Sequence, residues 1–146
     1  MKNKHLWITV AATYVAMALV IISAICLPWI LKLNSIIRVL LPVEQNAILA
    51  GFYCCAPVLL LTLWKVRQLL KNIQLESVFT EENIKLLAAI RSGCLIIFSI
   101  CFVAGLFFFP LFLVVAILGF LTLMMQVLKQ VMARAVALRE ENDLTV

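Results

Sequence analysis

The sequence predicts an all-α integral membrane protein: a four-helix bundle of two helical hairpins, with the N- and C-termini both cytoplasmic. Of its 146 residues 66% are hydrophobic and only 13% are charged, against roughly a quarter charged in soluble domains. Three long stretches hold no Asp, Glu, Lys or Arg: 6–31, 45–64 and 92–128. About 20 apolar helical residues cross a hydrocarbon core of about 30 Å, so the third stretch is long enough for two spans.

The third stretch divides at Phe107–Pro110, because proline removes a backbone donor and disfavours helix in the residue before it. We therefore predict one membrane domain, 1–146. Its parts are span one (6–27), an external loop (28–45), span two (46–64), a cytoplasmic helical loop (65–85), span three (86–106), a short external turn (107–110), span four (111–128) and a cytoplasmic helical tail (129–146).

The basic residues and tryptophans orient these spans. With both termini inside, ten of the twelve Lys and Arg residues lie in the cytoplasm and only Lys32 and Arg38 lie outside, which satisfies the positive-inside bias. Trp7 and Trp29 are 22 residues apart, about 33 Å of helix, and so reach opposite interfaces. The net charge of +5 is explained by membrane insertion rather than by nucleic-acid binding.

The segments between the spans have helical patterns of their own. Outside, residues 32–44 favour an interfacial helix that ends at Pro42. Inside, Val66, Leu69, Leu70 and Ile73 continue span two as an amphipathic helix. After a break at 77–79, Thr80 is placed to cap a new helix whose first turn holds acidic residues. The apolar stripe of the tail predicts that span four also extends into the cytoplasm.

Two similar acidic segments stand at these inner ends: Val78-Phe79-Thr80-Glu81-Glu82-Asn83-Ile84-Lys85-Leu86-Leu87, and Leu138-Arg139-Glu140-Glu141-Asn142-Asp143-Leu144-Thr145-Val146. Together with four apolar spans, they resemble the bacterial membrane proteins of the domain-of-unknown-function 2975 family over essentially the whole chain. The resemblance implies no enzyme activity and no catalytic residues. It suggests a small helix-turn-helix DNA-binding protein as a partner, because such a gene often lies beside those of the family.

The acidic segments are the best candidate for an interaction surface, although the same residues are also suited to cap helices and to pair with nearby cations. We call this candidate the acidic surface. It comprises Thr80, Glu81, Glu82, Asn83, Arg139, Glu140, Glu141, Asn142 and Asp143.

The five cysteines and the lone histidine suggest little chemistry. No Cys-x-x-Cys occurs, and Cys54 and Cys55 point about 100° apart on a helix. Small buried apolar groups are therefore the simpler interpretation of the cysteines, and a quinone-linked thiol oxidoreductase is the alternative. His5 has no evident second ligand for a metal or haem. We predict no metal and no cofactor, and no nucleophile–base pair suggests an enzyme.

Two functions remain open. The first is a non-enzymatic regulatory or sensing partner of a cytoplasmic helix-turn-helix transcription regulator, located in the bacterial plasma membrane. The second is a small oligomeric transporter or a protein that binds lipid, drug or haem. Because the spans hold no charged side chain apart from Arg91 near an inner end, ion-coupled transport is disfavoured. Both functions allow a homo-oligomer in contact with the lipid bilayer.

Overall fold

The structure, a computed structural model, describes residues 2–37, 41–75 and 80–144, and the side chains of 7–33, 41–75, 80–139 and 141–142. These residues form four α-helices: α1 (Lys2–Ile37), α2 (Pro42–Gln74), α3 (Glu81–Gly105) and α4 (Leu111–Leu144). Each helix is long and apolar enough to cross a membrane. The prediction of an all-α protein with four such helices is confirmed, and it indicates a multi-pass membrane protein.

The external loop predicted at 28–45 is largely helical in the structure. Residues 28–37 belong to α1 and residues 42–45 belong to α2, while 38–40 lie outside the described residues. The interfacial helix predicted at 32–44 is therefore not a separate element, because α1 continues through Pro28. At the start of α2, Pro42 takes the first helical position and the Glu44 carboxylate accepts the backbone N–H of Leu41 at 3.1 Å.

A side-chain hydroxyl of α2 explains why α1 remains helical at Pro28. Pro28 has no N–H, so it leaves the carbonyl of Ala24, four residues earlier, without its helical donor. The phenol of Tyr53 donates to this carbonyl oxygen at 2.9 Å. An unpaired backbone acceptor in hydrocarbon costs several kcal/mol, and proline is tolerated in a membrane helix where a neighbour supplies the missing donor. Tyr53 is that neighbour.

The second link between α1 and α2 is a cation–π contact. The guanidinium of Arg67 lies 4.9 Å from the ring centroid of Tyr14 and 5.0 Å from that of Trp64. Such contacts contribute about 0.5–1 kcal/mol at exposed sites and more when they are desolvated. This contact therefore joins the C-terminal part of α2 to α1 through Arg67 and Tyr14.

The helices α2 and α3 pack antiparallel at very short range. An added Cβ on Gly93 would overlap the hydroxyl of Thr62, and one on Gly51 would lie 3.2 Å from Cβ of Ala104. The two residues of each pair lie equally far along the chain from the midpoint between residues 77 and 78. Small residues thus fix both the spacing and the register of this interface.

The helices α3 and α4 are also antiparallel. A Cβ on Gly119 would lie 3.3 Å from the ring of Phe98, and one on Gly105 would lie 3.5 Å from that of Phe112. Phe102 and Phe112 meet edge to face with their centroids 5.8 Å apart. The helix α3 lies between α2 and α4 and holds more of the buried side chains that the structure describes than any other helix.

Within the described residues, helices pack only against their neighbours in sequence: α1 on α2, α2 on α3 and α3 on α4. Among the described residues, no close backbone approach joins α1 to α4. Most large apolar side chains of α1 and α4 face outward, as they would toward lipid. The four helices thus follow one another in a row, each packed on the next, and residues of all four line one cavity.

Candidate functional site

The cap predicted at Thr80 is confirmed at the start of α3. The Thr80 hydroxyl accepts the backbone N–H of Asn83 at 3.4 Å, and its carbonyl accepts the N–H of Ile84 at 3.3 Å. Glu81 and Glu82 occupy the first turn with exposed side chains. Negative charge there is favoured by the unpaired N–H groups of the helix N-terminus. Thr80 therefore shapes this part of the acidic surface, and the two glutamates present charge to the surroundings.

Asn83, also assigned to the acidic surface, lies in the interior. Its side chain is 0% exposed, and its Oδ1 accepts a hydrogen bond from Nδ2 of Asn72 at 2.9 Å. A buried amide is retained where its polar atoms are satisfied. Asn83 thus joins the end of α2 to the start of α3, and it offers no exposed group to a partner.

The second acidic segment lies on the last turns of α4. Arg139, Glu141 and Asn142 are exposed, whereas the side chains of Glu140 and Asp143 lie outside the described residues. The backbone is helical to Leu144.

The two acidic segments lie at the same end of the row of helices. The antiparallel register of α3 and α4 places Val136 level with Glu81. Residues 140–142 therefore lie beyond Glu81 by about 6–9 Å along the axis, at 1.5 Å per residue. The segments share an end but are offset from each other.

A cavity lies between the helices away from this end. It has a volume of about 260 Å³, and all four helices contribute to its wall. Its lining is almost wholly apolar, so it is suited to an apolar ligand. The lining residues are Val20, Ile48, Gly51, Phe52, Cys55, Ala56, Leu59, Cys101, Ala104, Leu111 and Val114.

Two of these lining residues form a thiol pair that the sequence reasoning missed. The Sγ atoms of Cys55 on α2 and Cys101 on α3 are 4.0 Å apart, and one thiol donates to the other. Spacing within a single helix could not reveal the pair. In two consecutive antiparallel helices, residues that lie about equally far along the chain from the segment between the helices face each other. Cys55 and Cys101 lie about equally far from residues 77 and 78, and this relation could have predicted the pair.

Other chemistry-bearing side chains stay apart. Cys26, Cys54 and Cys94 are free thiols, and the described residues contain no group of three or more His, Cys, Asp or Glu placed to hold a metal ion. The side chain of His5 lies outside the described residues.

Nearer the end that carries the acidic segments, two buried polar atoms, Nε of Arg91 and Oε1 of Gln126, have no hydrogen-bond partner among the described residues. The register of α3 and α4 places these two residues level with each other. A polar contact across the two helices would satisfy both atoms.

Comparison with known proteins agrees with the resemblance noted above. No curated protein and no solved structure matches the chain. One family does match, over residues 2–146, which is essentially the whole chain. The chain therefore belongs to the family described as "Protein of unknown function (DUF2975)".

Proposed function

We propose that this chain is a non-enzymatic regulatory or sensing protein of the bacterial cytoplasmic membrane, with both termini inside, whose inner end binds a cytoplasmic helix-turn-helix transcription regulator. The observation that carries the proposal is the length of α4. Its 34 residues span about 51 Å at 1.5 Å per residue, and the hydrocarbon core is only about 30 Å thick. About 20 Å of helix therefore extends beyond the core.

The extended end carries charge. Glu81, Glu82 and Glu141 are exposed and negative, and Arg139 is exposed two residues before Glu141 on α4. Helix-turn-helix proteins carry basic side chains on the face that contacts DNA phosphates. Carboxylates at the membrane would attract that face and compete with DNA for it. The partner class itself comes from the family resemblance.

The test is affinity purification of the full chain from intact bacterial membranes, with identification of the proteins that co-purify. We expect a small helix-turn-helix protein with the unaltered chain, and its loss when Glu81→Gln and Glu82→Gln are combined with removal of residues 140–146. Glu44→Gln is the matched control, because Glu44 lies at the opposite end of α2. Retention of the partner by the combined variant would contradict the acidic surface. Absence of any DNA-binding protein would contradict the proposed function.

A second candidate function, an apolar-ligand-binding membrane protein, is favoured by the cavity of about 260 Å³. Among the side chains that the structure describes, no imidazole lines its wall, so a lipid or an apolar drug suits it better than haem. A ligand that binds only the folded chain raises its thermal stability. A panel of apolar compounds, tested for thermal stabilisation of the purified chain in nanodiscs, separates this candidate from the first.

A further inference from the structure

The interface that holds Cys55 and Cys101 is close enough for a covalent bond. A disulfide needs Cβ atoms about 3.5–4.5 Å apart. About one turn away on each helix, a Cβ on Gly51 would lie 3.2 Å from Cβ of Ala104. The Sγ atoms are already 4.0 Å apart. The small residues around the pair thus hold the two backbones at disulfide-forming range.

Both thiols line the apolar cavity, which limits what can reach them. A charged, water-soluble oxidant would have to leave its hydration shell to enter, at a high desolvation cost. A neutral ring compound would enter the cavity without this desolvation cost. Benzene occupies an engineered apolar cavity of about 150 Å³ in another protein, so the 260 Å³ here accommodates a substituted six-membered ring beside Phe52.

We propose that Cys55 and Cys101 are a dithiol that a lipid-soluble quinone, bound in this cavity, oxidises to a disulfide joining α2 to α3. The site rests on the second candidate function, the ligand-binding cavity, and names the ligand class. The two S–H bonds break and one S–S bond forms. Two electrons and two protons pass to the two quinone oxygens, which yields a hydroquinone.

The apolar wall accounts for the pairing of protons with electrons. An isolated charge is costly in hydrocarbon, so the transfer of an electron without its proton is disfavoured beside this apolar wall. The dithiol, the quinone, the disulfide and the hydroquinone are all neutral. The reaction therefore leaves no net charge in the membrane, and the product can return to the bilayer by the path that admitted the quinone.

The experiment uses the purified full chain, reduced, in nanodiscs without oxygen, with a decyl-benzoquinone whose other ring positions are all substituted as the probe, so that thiols cannot add to the ring. After incubation and denaturation, maleimide labelling counts the free thiols, and absorbance measures the hydroquinone. Of the five cysteines, two should be lost per chain, with one hydroquinone formed. Cys55→Ser and Cys101→Ser should each abolish the loss. Cys54→Ser is the matched control and should retain it, because Cys54 is the exposed neighbour in the chain.

Thermal stabilisation by the same quinone separates this inference from the function on which it rests. Stabilisation without loss of thiols would overturn the redox pair and leave the ligand-binding cavity standing. If the quinone causes neither stabilisation nor thiol loss, both the redox pair and the ligand-binding cavity are overturned. Equal thiol loss in Cys55→Ala, which keeps a small apolar group at the position, would assign the oxidation to other cysteines and overturn the pair.

Discussion

We predict that the hydrogen bond from Tyr53 to the Ala24 carbonyl contributes most of its free energy of stabilisation because Pro28 is present. Tyr53→Phe keeps the ring and removes the hydroxyl that donates at 2.9 Å. The carbonyl is then left without a donor, because position 28 has no N–H. If Pro28→Ala is introduced first, a backbone N–H at position 28 bonds the carbonyl within α1, and removal of the phenol hydroxyl should then cost less.

The magnitudes follow from these partners. A buried acceptor left unpaired costs about 1–3 kcal/mol, whereas a neutral hydrogen bond contributes about 0.5–1.5 kcal/mol net. We expect Tyr53→Phe to lower the free energy of unfolding by about 1–3 kcal/mol in the unaltered chain, where an acceptor is orphaned. In the Pro28→Ala background the loss should shrink to about 0.5–1 kcal/mol, because only the interhelical bond is lost. The coupling energy is the difference between the two losses, about 0.5–2 kcal/mol.

The measurement is a double-mutant cycle on the free energy of unfolding by sodium dodecyl sulfate in mixed micelles. Tyr14→Phe is the matched control: Tyr14 and Tyr53 are both 47% exposed, and Tyr14 contacts Arg67 through its ring, which Phe retains. An equal loss from Tyr53→Phe in both backgrounds would refute the assignment of Tyr53 as the donor that replaces the missing N–H.

Three further stability changes are expected in the same assay. Gly93→Ala should destabilise the chain by about 1 kcal/mol, since overlap with Thr62 costs about 1–3 kcal/mol and the gain in helix propensity is about 1 kcal/mol. In the Thr62→Ala background this loss should shrink, because the overlapping hydroxyl is gone and only the approach to the Cβ of residue 62 at 3.2 Å remains. Asn83→Ala should cost about 1–3 kcal/mol, because it removes a buried amide and leaves the half-buried amide of Asn72 without this partner. Thr80→Ala should cost about 1 kcal/mol through loss of the α3 cap, and Thr80→Ser should recover most of it.

Each of these has its own contrary result. Stabilisation by Gly93→Ala with Thr62 intact would mean that α2 and α3 are not in contact there. Asn142→Ala is the exposed control for Asn83→Ala, and equal effects of the two would contradict the burial of Asn83. If Thr80→Ser were as harmful as Thr80→Ala, the threonine methyl group rather than the hydroxyl would be responsible.

The helices and the α3 cap could be predicted because they depend on local pattern. Charge-free stretches of sufficient length specify membrane helices, and Thr80 followed by Glu81 and Glu82 is a helix start that needs no tertiary contact. The end of α1 could not be predicted in this way. Pro28 predicts a helix boundary on local grounds, and the donor that removes the penalty, Tyr53, lies 29 residues away in the chain.

The candidate sites needed the register between helices. Asn83 belongs to a polar segment and was assigned to the surface, yet its position opposite Asn72 places it inside. Cys55 and Cys101 are 46 residues apart, and only the antiparallel pairing of α2 with α3 joins them. Local pattern shows which face of a helix is polar but not which residue of the next helix meets it.

The serial packing of the helices has a consequence for biogenesis. Each described helix packs on the one made just before it, so its docking surface is already in the membrane when it leaves the translocon. Contacts close in sequence form early, and synthesis proceeds from the N-terminus. No helix has to wait for a distant partner, and assembly can follow the order of translation. A nascent chain halted after Gly105 should already hold the pairs α1–α2 and α2–α3.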